Sequence, residues 1–126
     1  MKKLRLKLLI GLVLLGAVIT RASSAEWQSS VEVKSEKPEN GPARAWLWIP
    51  PDCKKVRGVI VAQHNMEEIS ILENPNFRAA LAKMDFAEVW VAPFFDHLFR
   101  FNEGAGDTFN GMMNDLADES GYAYAC

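Results

Sequence analysis

The sequence predicts an α/β fold in which an antiparallel pair of strands leads into a β-α-β-α run. Three observations carry this. Gly58-Val59-Ile60-Val61-Ala62 is a continuous apolar run without alternation, the pattern of a strand covered on both faces. Phe86 to Ala92, with Val89, Trp90 and Val91, is a second such run. Between and after them lie two segments with helical spacing and recognisable caps.

The first 25 residues stand apart. Lys2, Lys3, Arg5 and Lys7 precede an apolar run from Leu8 to Ile19, and Ser23-Ser24-Ala25 follow as small residues of the kind a signal peptidase reads. That order predicts a secretory signal peptide over residues 1–25, a mature domain over 26–126, and an exported protein, periplasmic or extracellular. The apolar run is shorter than the roughly 18 residues that a membrane span requires. Cleavage after Ala25 removes five of the 14 basic residues and none of the 16 acidic ones, taking the net charge from −2 to −7. An acidic domain of this kind lacks the cations that neutralise phosphate, so neither nucleic acid nor an anionic membrane surface is an expected partner. The two cysteines, Cys53 and Cys126, form neither a CxxC nor a zinc-binding spacing and read as separate thiols.

In the mature chain, Val31-Glu32-Val33 alternates as a short edge strand. Residues 36–42 (EKPENGP) are dense in turn formers. Ala43 to Ile49 is rich in aromatic and branched residues, suits a strand, and is stopped by Pro50-Pro51. After the turn Gln63-His64-Asn65, residues 67–74 have no clear period. Asn74 can cap a helix with Pro75 in its first turn, and Phe77, Leu81 and Met84 share a face. Beyond Gly104-Ala105-Gly106, Asp107 or Thr108 is the expected cap of a last helix. Its apolar face is Phe109, Met112, Met113, Leu116 and Ala117, and Gly121 closes it. The pattern asks for a third parallel strand after this helix. Without one, an apolar strand edge is exposed along Gly58–Ala62 or Val89–Ala92, which natural sheets avoid. The sheet is therefore expected to be incomplete.

Strand pair, buried strand with a His-containing turn, helix, strand and long capped helix together resemble the N-terminal half of the α/β-hydrolase family. The resemblance spans roughly Val31 to Gly121. Its motif is the run from Gly58 to Met66, which is similar to the family strand ending in a His-Gly oxyanion turn; Asn65 stands where the family has Gly, and Asn tolerates left-handed backbone. The resemblance implies ester hydrolysis by a Ser-His-acid mechanism on a small-molecule or glycan ester, without a cofactor. It implies a backbone N–H oxyanion donor at Met66, with Asn65 second and His64 shaping the turn. The G-x-S-x-G elbow of such enzymes is not found in this sequence: Ser70 and Ser120, the serines after Ser35, sit in no such motif. The expected state is an N-terminal portion without its catalytic side chains and inactive alone.

Other readings compete. His64, Glu67 and Glu68, with Asp96 and His97 at the end of the neighbouring strand, have the chemistry of metal ligands, yet H-x-x-E-E lacks the second His of a zincin and no metal is expected. Gly104-Ala105-Gly106 reads as a helix-entry loop, since it follows no strand directly and Gly111 comes too late for a phosphate fingerprint. Trp46 and Trp48 face one side of a strand. Buried, they are core, the favoured reading; exposed, they would make the chain a small secreted glycan-binding module.

Overall fold

The computed structural model describes residues 26–35, 41–96 and 98–122. The expected signal peptide, the 36–40 stretch of the first loop, His97 and Cys126 lie outside the described residues. Strands β1 (Ser29–Val33), β2 (Ala43–Trp48), β3 (Gly58–Gln63) and β4 (Phe86–Ala92) form one sheet in the order β1-β2-β4-β3. β1–β2 and β2–β4 pair antiparallel and β3–β4 parallel. Helices α1 (Glu68–Leu72) and α2 (Pro75–Ala82) connect β3 to β4, and α3 (Ala105–Ser120) follows a short 3-10 turn at Phe101–Glu103. The chain is thus α/β, a mixed sheet with helices. Among the described residues no helix is long and apolar enough to cross a membrane.

The period of two along each strand separates two buried faces. Ala45 and Leu47 lie beside Val91 and Val89, and these in turn beside Gln63 and Val61 on β3. This face joins Val33, Met112 and Leu116 in one cluster under α3. The opposite face carries Trp46 beside Trp90 and Trp48 beside Glu88, and α1 and α2 lie against β4 there. Glu88 is fully buried at its centre and accepts a hydrogen bond from Arg78 Nε of α2 at 3.0 Å. The same Nε donates to Leu72 O at 2.8 Å, and the guanidinium lies 4.9 Å from the Trp27 ring centre and 4.7 Å from that of Trp48.

β4 takes the interior place and is buried from Ala87 to Val91, whereas β3 forms an edge whose residues Gly58 to Ala62 are only half-buried. Of the two edges the pattern allowed, the exposed one is therefore β3. Asn74 caps α2 as expected, its side chain accepting from the Asn76 and Phe77 amides with Pro75 in the first turn. Met84 departs from expectation. α2 stops at Ala82, Asp85 turns the chain at φ 57, and Met84 is exposed. The start of α3 also differs, because Gly104 in left-handed backbone (φ 104) begins the helix and Asp107 lies inside its first turn. Gly121 at φ 73 ends it as expected.

Candidate functional site

The carboxyl ends of β3 and β4 open into a cavity of about 350 Å³, the place where α/β sheets bind ligands. Its polar lining is Gln63, His64, Asn65 and Glu68; its apolar walls are Ala62, Phe94 and Phe99. β3 is held to β4 up to this point, since the His64 amide donates to Val91 O at 2.7 Å. The His64 ring meets Trp90 edge-on, with centroids 5.8 Å apart. A half-turn follows before α1 begins.

In that half-turn the amides of Met66 and Asn65 both point at one oxygen. Glu68 Oε2 accepts from Met66 N at 2.7 Å and from Asn65 N at 3.2 Å. The two donors singled out in the sequence are thus brought together, and a carboxylate of the same chain occupies the point on which they converge. Its own backbone amide first, then those of Met66 and Asn65, and the nearby His64 hold the Glu68 carboxyl below its ordinary 4.5, against the opposing effect of burial. Asn65 is not among the residues with positive φ, so the turn closes without the left-handed conformation its sequence permits.

Gln63 ends β3 and is 7 % exposed. Its Nε2 donates to Asp96 O at 2.6 Å, while Oε1 has no hydrogen-bond partner among the described residues. Asp96 is itself fixed, accepting from the Leu98 amide at 2.9 Å and from Arg100 Nε at 3.0 Å. Burial pushes its carboxyl up, but the Leu98 amide and Arg100 outweigh this and hold it below its ordinary value. Around the cavity the surface is apolar: Met66 is 78 % exposed, and Leu98, Phe99 and Phe101 are also exposed, with the Phe99 and Phe101 rings stacked at 6.1 Å.

The other sequence candidates are engaged within the fold or lie apart. Glu68 is engaged by amides and Asp96 by Arg100. Among the described residues no group of three or more His, Cys, Asp or Glu side chains could hold a metal ion. The Gly104 loop borders a second cavity, of about 470 Å³, whose charged lining mixes Lys34 and Arg100 with Asp96, Glu103 and Asp107; this favours no anion. Trp46 and Trp48 share a face, but Trp48 is 1 % exposed beneath Arg78 and offers no ring to a sugar. Cys53 is buried, and burial pushes its thiol above the ordinary 9.0.

Two roles were missed in the sequence. Gln63 is the polar residue that ends an apolar run, a signal that a buried amide sits at the strand end. Glu68 was read with His64 and Glu67 as a candidate metal ligand; its spacing to Asn65 and Met66 is that of a local side-chain-to-amide bond. No protein-family model matches the sequence, and no curated protein and no solved structure matches it either.

Proposed function

We propose that the turn after β3 is the oxyanion-binding element of an exported ester hydrolase of the α/β-hydrolase type, with the Met66 amide as principal donor and the Asn65 amide as second. One observation carries the reading: both amides converge on a single anionic oxygen at the carboxyl end of a parallel strand. Glu68 Oε2 stands in for the oxygen that becomes negative when a nucleophile adds to an ester carbonyl. Once Glu68 is displaced, donors held in that arrangement need no further reorganisation as charge develops, and one such donor is worth roughly 10²–10³ in rate. The element order, the parallel β3–β4 pair and the aromatic walls at Phe94 and Phe99 support the same reading. The substrate is a small-molecule or glycan ester whose carbonyl enters the cavity.

In this mechanism a Ser attacks the carbonyl, a His takes and returns its proton, and an acid orients the His. The described serines do not fill the first role. Ser29, Ser30 and Ser35 lie on or beside β1, at the opposite edge of the sheet from β3. Ser70 is exposed on α1, and Ser120 bonds Ala117 O at the end of α3. The reading assigns the nucleophile to a further parallel strand laid along the open side of β3, next to the Asn65–Met66 amides. Export rests on the basic, apolar and small-residue order of residues 1–25.

Two measurements test this. The chain alone should not turn over 4-nitrophenyl acetate; turnover abolished by Ser70→Ala or Ser120→Ala would show the nucleophile to be misplaced. Glu68→Ala should empty the cradle, so that methylphosphonate, a tetrahedral oxyanion, shifts the Met66 and Asn65 amide resonances in that variant and not in the parent. Unresponsive amides in Glu68→Ala would remove the oxyanion assignment.

A further inference from the structure

We infer that Gln63 is the specificity-determining residue of the strand-end cavity, and that the molecule bound there donates a hydrogen bond from a hydroxyl to Gln63 Oε1. The inference rests on the preceding reading insofar as it takes the cavity for the binding site, and it adds what that site selects.

Gln63 is more than nine-tenths buried and lines the cavity. Its amide has one orientation. Nε2 donates to Asp96 O at 2.6 Å, and the flipped amide would set an oxygen against that carbonyl oxygen. Asp96 is held in turn by Leu98 and Arg100, so the tether is stiff. What remains is an acceptor without a donor. Buried polar groups are nearly always hydrogen-bonded, and an exception calls for an explanation in the site itself.

Among the described residues no donor reaches that oxygen: neither the His64 ring nor the Asn65 side-chain amide, both in the lining, bonds to it. The Asn65 and Met66 amides are turned to Glu68, and Glu68 is an acceptor. The rest of the lining is apolar at Ala62, Phe94 and Phe99. A ligand matching this surface has a flat apolar body and one hydroxyl, as in a phenol or an aryl hydroxy ester. Sites built around a hydrogen bond reject the analogue lacking it far more strongly than apolar pockets reject a methylene. Gln63 Oε1 is enclosed, so a hydroxyl reaches it only by displacing part of the cavity's apolar wall, of which Phe99 is 43 % exposed.

The test uses the full chain and two probes of similar shape, phenol and toluene, titrated while the amide resonances of residues 62–68 are followed. The quantity read is the ratio of the two affinities within each protein, which is insensitive to small losses of stability. Gln63→Met keeps length and removes the acceptor; the phenol-to-toluene ratio should fall by about tenfold, the worth of one buried hydrogen bond. A ratio unchanged in Gln63→Met, with cavity amides still responding, overturns the role of Gln63 and leaves the cavity as a binding site. No response to either probe overturns the inference and the cavity together, while the Met66 cradle is judged separately by methylphosphonate.

Discussion

Arg78→Met isolates the buried charge on the second face of the sheet. Met keeps apolar bulk and discards the guanidinium, which bonds Glu88 at 3.0 Å and Leu72 O at 2.8 Å and lies between the rings of Trp27 and Trp48. Breaking a buried pair on one side costs about 3–5 kcal/mol, mostly because the remaining charge is stranded. Two desolvated cation–π contacts contribute about 0.5–2 kcal/mol each, not fully additive with the first loss. A total near 4–6 kcal/mol at pH 7 is a large part of the roughly 5–15 kcal/mol that holds a domain of this size together.

Burial pushes the Glu88 carboxyl above its ordinary 4.5 even with Arg78 beside it, and removing Arg78 pushes it further. A raised folded-state value means the native chain holds more protons than the unfolded one from about 4.5 upward. Stability therefore falls as pH rises through that window. The Arg78→Met deficit should be smaller at pH 5 than at pH 7, and Glu88→Gln in the same background should recover about 2 kcal/mol by abolishing the stranded charge. Urea unfolding followed by tryptophan fluorescence measures all of these. A deficit below about 1 kcal/mol at pH 7, or one equal at both pH values, would refute the argument from desolvation.

Three further outcomes are expected. A Cβ at Gly58 would lie 2.7 Å from Phe86 Cζ and 2.9 Å from two more ring atoms, so Gly58→Ala should destabilise by about 1–3 kcal/mol, and Phe86→Leu in that background should relieve much of it. The Met66 amide resonance should titrate with a midpoint below 4.5, and the turn's contribution to stability, complete above that value, should fade as pH drops through the lowered one; Glu68→Gln should abolish the titration. Because burial raises its thiol, Cys53 should react slowly with iodoacetamide at pH 8 in a Cys126→Ser chain and promptly once urea unfolds it.

The strands were legible because their covering is written in composition: Val89-Trp90-Val91 can only be interior. Which apolar strand lies outermost was not, because periodicity reports that two faces are covered and says nothing about the lateral neighbour. Asn74-Pro75 fixed one helix start, since both residues have a geometric use there. The spacing that joined Met84 to Phe77 and Leu81 failed because a left-handed Asp85, needed to aim the chain into β4, ends the helix first. Gly104 likewise opened α3 ahead of the polar caps at Asp107 and Thr108. At the site, the donors at Asn65 and Met66 were named through the family resemblance, but their occupant was not, because several nearby acceptors could reach them and only the folded turn ranks Glu68 first. Glu88, a lone carboxylate inside Phe86–Ala92, was passed over in reading that run as apolar; that Arg78 is buried with it is a matter of where α2 lands.

The outer side of β3 has a solubility consequence. From Gly58 to Gln63 it carries no charge, so its row of amides and carbonyls is a template on which another chain could polymerise. Just ahead of it, exposed Lys54, Lys55 and Arg57 act as gatekeepers: two copies stacked in the same sense would bring three positive charges against three. That defence is purely coulombic and vanishes as the screening length shrinks from about 10 Å at 0.1 M salt to about 3 Å at 1 M. Self-association of the chain is accordingly expected to rise between dilute buffer and concentrated salt, which light scattering reads directly.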